Sequence, residues 1–285
     1  MQIEIVDDVE WIRRNHDGIR RPDRIIDTIG YKLATLNDSF YDIHAIKSTS
    51  IIPLCRWNGR LEMIGQFWSE GWDSALPAHH WDAVMQTTGP FWMQYSRYQV
   101  SKMTADPAEQ AYLSLPETEQ CRYYESLFQT STERRVLRQA FTFKEKTTIE
   151  MAEQIGKSDI DLLVALSAER IGNDSYLLDG LKRKSFVGVV EYLQGIGSLK
   201  VMKYRTGGEV VGIAFLMYDV QCETLTFLSG FYRNRLNNFG KFMYWSFAKL
   251  AECVGAREIV ALAPLSRIKR DMMYQGRGLY GYSTP

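Results

Sequence analysis

The chain has 285 residues, long for one domain and natural for two. Its apolar share of 45% supports real cores, and Lys plus Arg equal Asp plus Glu at 34 each, which excludes a global basic field for nucleic acid and leaves only local basic surfaces. No window approaches the ~18 uninterrupted apolar residues of a membrane span, and residues 1–8 lack a signal peptide's basic and apolar regions, so a cytosolic protein is expected.

In chain order, Asp7 and Asp8 can cap a short helix through Trp11 and Ile12, and Pro22 at a helix start opens a second helix over 23–36. A strand over 42–47 precedes a hairpin made of 51–57, the turn Asn58-Gly59 and 60–64, because Asn-Gly between strand-like runs is a strong hairpin signal. Pro53 assigns its strand to an edge or a strand start. A helix over 78–87 and a strand over 91–95 complete this block. The polar segment 101–119, with Pro107 and Pro116, reads as connecting chain.

A capped basic helix over 130–140 follows, then helices from Ser158 to Gly172 and over 179–193. Strands over 199–204, 210–218 and 224–228 form a meander with turns at Gly207-Gly208 and 219–222. A helix over 238–254 ends at Gly255, a natural C′ glycine. Its apolar positions Phe242, Trp245, Phe247, Leu250 and Val254 spread over more than one face, so it should be covered on more than one side. A last strand over 258–263 follows it.

Both halves run strands in a meander, a helix, then a strand, and Ile64-Gly-Gln-Phe-Trp68 sits where Leu228-Ser-Gly-Phe-Tyr232 sits in the second half, which reads as an internal duplication. The second copy alone leads into a basic turn at a helix start, where unpaired amides and the helix dipole favour an anion. Arg233, Arg235 and Lys241 surround Asn237, Asn238, Phe239 and Gly240 there. The first copy has the acidic Ser69-Glu-Gly-Trp-Asp73 instead, so no anion site is expected in it.

The cysteines Cys55, Cys121, Cys222 and Cys253 are isolated and read as buried reduced thiols, with Cys55 and Cys222 in strands and Cys253 in a helix. His79-His80 are sequence neighbours that do not share a helix face, so no metal site is expected.

Residues 130–281 resemble the double-domain acyltransferases of the GNAT superfamily, the group of CelD-type acetyltransferases and Fem-type aminoacyl transferases. The segments that carry the resemblance are Thr132-Glu-Arg-Arg-Val-Leu-Arg138, Asp159-Ile-Asp-Leu-Leu with Glu169-Arg170, Gly208-Glu-Val-Val-Gly-Ile-Ala-Phe215, Leu236-Asn-Asn-Phe-Gly-Lys241 and Gly255-Ala-Arg-Glu-Ile259. The resemblance implies an α/β (α+β) chain of two tandem GNAT-like domains, each a mixed, mostly antiparallel sheet flanked by helices. Residues 1–120 would form a degenerate copy and 121–285 the acyltransferase domain.

It also implies transfer of an acyl group from acyl-CoA, such as acetyl-CoA, to an amine or hydroxyl of a small-molecule or peptide acceptor. Arg233, Arg235, Asn237, Asn238, Phe239, Gly240 and Lys241 would then hold the donor. GNAT enzymes use a two-glycine turn for the CoA pyrophosphate, and this turn has Gly240 alone, so a side chain crowds the backbone. Fem-type members share that lack and take their acyl group from aminoacyl-tRNA, which makes tRNA the alternative donor and partner. The chain has no long charged helical hairpin such as many Fem-type proteins insert.

Acyl transfer needs oxyanion stabilisation, removal of the nucleophile's proton and protonation of the leaving group. Tyr274 fits the tyrosine pattern of many GNAT enzymes in one register, while an equally simple register puts Met272 there. Ser229 and Tyr232 end the central strand. Arg134, Arg135 and Arg138, with Glu169 and Arg170, are the acceptor-side candidates, able to meet a phosphorylated or acidic acceptor or RNA phosphates. No base stands out. An inactive GNAT-like module that binds a partner through some of its 7 tryptophans and 16 tyrosines is the remaining alternative.

Overall fold

The computed structural model describes residues 4–20, 22–47, 51–64, 91–96, 104–116, 124–152, 154–261 and 265–283. The chain opens with β1 (Glu4–Val6), α1 (Val9–Arg20), one 3-10 turn (Ile25–Asp27) and α2 (Ile29–Ala34). Strands β2 (Tyr41–Lys47), β3 (Ile51–Trp57), β4 (Arg60–Met63), β5 (Phe91–Ser96) and β6 (Thr104–Ser114) lead to α3 (Ser131–Phe141), β7 (Thr147–Ala152), α4 (Lys157–Ile171) and α5 (Gly180–Gly195). Then come β8 (Leu199–Thr206), β9 (Glu209–Asp219), β10 (Thr224–Tyr232), α6 (Phe239–Val254), β11 (Glu258–Ala261), the short α7 (Arg267–Asp271) and β12 (Gln275–Ser283). The helix expected over 78–87, Cys121, His79-His80 and the segment 65–73 lie outside the described residues.

Two compact units emerge. The first gathers 1–109 with 184–192 and 278–285, and the second gathers 110–183 with 193–277. Strands β6 and β12 and helix α5 each contribute residues to both units.

The first unit has strand order β1-β2-β3-β4-β5-β12, antiparallel throughout except for β5, which lies parallel to β4 with Leu61 opposite Phe91. The second has β7-β8-β9-β10-β11-β6, again antiparallel except for one step, β11 parallel to β10. The two sheets repeat one plan, a four-strand antiparallel run, a parallel neighbour, then an antiparallel closing strand. The duplication read from the sequence is therefore real at the level of topology: the fold is mixed α/β, with each sheet mostly antiparallel. No helix among the described residues is long and apolar enough to cross a membrane.

Local chemistry explains most elements. The Asp8 carboxylate accepts the Trp11 amide at 2.9 Å and caps α1. The helix expected over 23–36 is broken: Thr28 is extended (φ −69°, ψ 149°) and its hydroxyl accepts the Tyr31 amide, so it caps α2 after the 3-10 turn ends. Asn58 and Gly59 both have positive φ, 48° and 76°, which is the two-residue turn that the twist of β3 and β4 demands.

Pro53 does not mark an edge, since β3 pairs with both β2 and β4. Its carbonyl accepts the Ile64 amide just past the end of β4, so its missing N–H falls where that ladder stops. The segment expected as connecting chain contains strand β6, paired with β11 from Ala111 to Ser114. Alternation overrides the prolines there: Ala111, Leu113 and Leu115 are buried while Ser114 between the last two is exposed.

In the second unit α6 lies in the core. Phe239, Phe242, Phe247, Ala248 and Ala251 are all at most 1% exposed, which is the many-sided cover its apolar pattern predicts. In the first unit Ile12, Ile29, Ala45 and Ile51 form a smaller core. Cys55 is buried in β3, whereas Cys222 falls half-buried in the β9–β10 turn rather than a strand and Cys253 is exposed on α6, so the buried-thiol expectation holds for Cys55 and not for Cys222 or Cys253.

Candidate functional site

In the second unit, β10 carries a bulge between Phe227 and Ser229, and it continues past its last described pairing with β11, Phe227 opposite Ala261. Its remaining residues lead into the turn 233–238 and the start of α6. Helix α4 packs beside this strand and delivers Glu169 and Arg170 to the turn.

Glu169 is the centre of the turn. One carboxylate oxygen accepts the Asn234 amide at 2.8 Å, and the other accepts from the Arg233 guanidinium at 2.9 Å. The Asn234 amide and Arg233 hold this carboxyl below the usual carboxylate range. Arg170 donates to the Asn234 side-chain oxygen at 2.8 Å and to the Tyr232 hydroxyl at 3.0 Å, and its guanidinium lies 4.6 Å from the Tyr232 ring centre. Two arginines and one amide thus already have an anion and a ring to bind.

The amides of this mouth are largely spent. Those of Arg233, Leu236, Phe239 and Lys241 donate to the carbonyls of Val211, Arg233, Leu236 and Asn238. Asn238 is left-handed (φ 63°) and makes no side-chain cap. The face of Gly240 is covered, because a Cβ there would lie 2.5 Å from Ile268 Cδ1 and 3.0 Å from the Tyr232 hydroxyl. Phe239 is fully buried against Tyr204 and Phe143.

Lys241 points elsewhere, donating to Gln139 at 2.8 Å and pairing with Asp271 at 3.2 Å while only 11% exposed. Arg235 is open to solvent and loosely paired with Glu209 at 3.6 Å. Asn237 is exposed. The donor-site residues expected from the sequence are therefore contiguous in the chain but dispersed in direction.

Ser229, at the bulge, is 3% exposed, and its hydroxyl lies 2.6 Å from the phenol of Tyr176. Burial pushes the Tyr176 phenol up to about 12, against the downward pull of the Ser229 hydrogen bond. Sequence reasoning missed Tyr176. It sits in a 3-10 turn (Tyr176–Leu178) capped by Ser175, with no periodicity to distinguish it. Tyr274 follows α7 and is 3% exposed; its hydroxyl has no hydrogen-bond partner among the described residues. Burial first, and the phenols of Tyr124, Tyr244 and Tyr204 after it, raise it well above an ordinary tyrosine, so it holds its proton near neutrality.

Helix α3 presents a cluster of positive charge. Thr130 and Glu133 form a capping box, each side chain bonding the other's backbone amide. The helix lines a cavity of about 500 Å³ with Ser131, Arg134, Leu137, Arg138 and Phe141. Arg134, Arg135 and Arg138 have no acidic partner among the described residues, and Arg134 reaches only the Phe128 carbonyl at 3.4 Å. Lys144 lies over the rings of Phe141 and Trp245 at 5.3 and 5.4 Å.

Neither a protein-family model nor a curated protein matches the sequence. Solved structures do match the fold. A conserved protein of unknown function from Bacteroides thetaiotaomicron is 12% identical with TM-score 0.60, each chain covered at 100%. FemX is 10% identical with TM-score 0.59, covering 100% of this chain and 98% of its own. The C-terminal domain of a proposed lysylphosphatidylglycerol synthetase from Agrobacterium fabrum is 14% identical with TM-score 0.59, covering 97% and 92%. The chain has the fold that FemX has, as its sequence resemblance to the Fem-type group implied.

Proposed function

We propose that the chain is an acyl-transferring enzyme of the aminoacyl type, which moves an aminoacyl group from an aminoacyl-tRNA to an amine or hydroxyl acceptor. The observation that carries this reading is where unpaired positive charge lies. Three arginines without an acidic partner among the described residues cluster on α3 beside a cavity lined by Leu137 and Phe141, whereas Arg233 and Arg170 at the β10–α6 turn are held by Glu169 and Tyr232. Guanidiniums interleaved with an aromatic ring suit phosphates and stacked bases of a nucleic-acid end. FemX shares this fold, and the Fem-type sequence resemblance implies this donor class.

In the proposed reaction the acceptor's nitrogen or oxygen bonds to the ester carbonyl and the carbonyl–ribose oxygen bond breaks. Backbone of β10 beyond Phe227, paired with β9 on one side and without a β11 partner among the described residues on the other, supports the developing oxyanion in this scheme. The acceptor's proton leaves to solvent, and the Tyr176 phenol, protonated near neutrality and set by Ser229, gives its proton to the departing ribose oxygen. Tyr274, buried without a partner, takes no part in this scheme, and Tyr232 orients Arg170.

Retention of aminoacyl-tRNA on the intact protein, measured against salt, tests the reading. Steeply salt-dependent binding together with no heat on titration of acetyl-CoA supports it. Acetyl-CoA binding without tRNA retention would return the acyl-CoA mechanism to first place.

A further inference from the structure

We propose that Glu169 determines donor choice: its carboxylate is a built-in anion that keeps phosphate groups out of the arginine-lined β10–α6 turn, so the chain rejects pyrophosphate-bearing donors such as CoA. The biological meaning rests on the aminoacyl-RNA reading above, but the physical content stands apart from it.

Both oxygens of Glu169 are engaged, one by the Asn234 amide at 2.8 Å and one by Arg233 at 2.9 Å. A backbone N–H beside a planar guanidinium is the donor set a phosphate oxygen would use. Arg170 stands against the same turn through the Asn234 side chain, and Arg235 adds its field to the carboxylate. Three cations thus converge on a turn whose neutralising group arrives from another element, α4. That group is held in place by the fold, so a free anion competes with an intramolecular partner that is already bound. A dissolved phosphate must displace it and also overcome the repulsion of the carboxylate it displaces. Removing the carboxylate leaves the amide and Arg233 unfilled, and the turn becomes an anion receptor.

Isothermal titration of the full chain with inorganic pyrophosphate, and separately with CoA, reads this directly. The wild-type protein should give no binding at millimolar ligand. Glu169→Ala should gain at least about tenfold in affinity for both ligands, with the gain shrinking as salt rises. Glu169→Gln keeps an acceptor for the Asn234 amide and drops the charge, so it should gain in the same direction by less. Glu209→Gln, which unloads only the exposed Arg235, should stay at the wild-type level.

Wild-type binding as tight as that of Glu169→Ala would overturn the proposal, as would a Glu169→Ala protein that melts like wild type and gains nothing. If Glu169→Ala melts early, Glu169→Gln decides the matter by the same two outcomes. Aminoacyl-tRNA retention by the wild-type chain is scored separately. Its failure removes the functional reading and leaves the Glu169 result standing.

Discussion

The phenol of Tyr176 and the hydroxyl of Ser229 meet at 2.6 Å, joining the turn before α5 to the bulge of β10. The Ser229 hydroxyl is 3% exposed and takes the Tyr176 phenol as its partner, so removing the phenol takes a hydrogen bond from a buried group. Tyr176→Phe should lower stability by about 1–3 kcal/mol, and Ser229→Ala by a similar amount. The double variant should cost less than the sum, because the two side chains share one hydrogen bond. Denaturant titration checks the stability terms. In the transfer assay Tyr176→Phe should lower kcat by about two orders of magnitude and leave the acceptor KM nearly unchanged, as loss of a proton donor requires.

Buried phenols set the alkaline limit. Tyr31, Tyr124, Tyr204, Tyr244 and Tyr274 are all raised above an ordinary tyrosine, by burial above all, and Tyr176 is pushed up to about 12. In each the folded state holds its proton more tightly than the unfolded chain, whose phenols titrate near ~10. Their contribution is therefore complete below that pH and is lost as pH rises toward the folded values. Tm should fall steeply above pH ~10, and the part of the tyrosinate absorbance that belongs to these phenols should grow together with unfolding. Exposed phenols ionise first, so ionisation of all 16 tyrosines well before the loss of secondary structure would contradict this burial.

A helical glycine usually gains about 1 kcal/mol when replaced by alanine. Gly188 should do the reverse. A Cβ there would run into the backbone carbonyl of Ala34 in α2, which cannot turn aside as a side chain would. Gly188→Ala should destabilise the protein by about 1–3 kcal/mol. Gly195, also in α5 but with open space around it, should tolerate alanine and serves as the internal comparison. Thermal melts of the two variants give the sign.

Arg134→Ala and Arg138→Ala should each weaken RNA retention uniformly across tRNA sequences and reduce the salt slope by roughly one. Arg233→Ala, whose charge is already held by Glu169, should change the slope far less. Equal slopes for all three would place the RNA elsewhere.

Much of this architecture was legible because local chemistry and long-range packing agree. Asn58-Gly59, Gly207-Gly208 and Gly255 punctuate the chain where positive φ is needed, and the observed values are 76° at Gly59 and 79° at Gly255. Thr130 and Glu133 announced α3. Strand β6 hid behind Pro107 and Pro116, since its pairing with β11 is a contact across more than a hundred residues that no local pattern records. The helix over 23–36 was over-read because Thr28 is a cap as readily as a helix interior residue.

At the site, the basic turn was visible and its filling was not. Glu169 lies 65 residues from Asn234 in sequence, and only packing of α4 on β10 brings its carboxylate to that amide. Tyr274 has an aromatic pattern that matched a catalytic tyrosine, yet the same ring serves to fill a core beside Tyr244 at 5.3 Å. Lys241 was placed by sequence proximity to Gly240, whereas one step around a helix turns a side chain by roughly 100° and carries it to Asp271.

The closing strand of each sheet has a consequence for synthesis. Strand β5, in the unit that the ribosome makes first, gains its outer partner only from residues 278–283. At the usual pace of translation the intervening stretch takes roughly ten to thirty seconds to emerge. Through that interval the nascent first unit carries an unmatched hydrogen-bonding edge at β5 besides the one at β1, a surface that a chaperone can guard or a neighbouring nascent chain can capture.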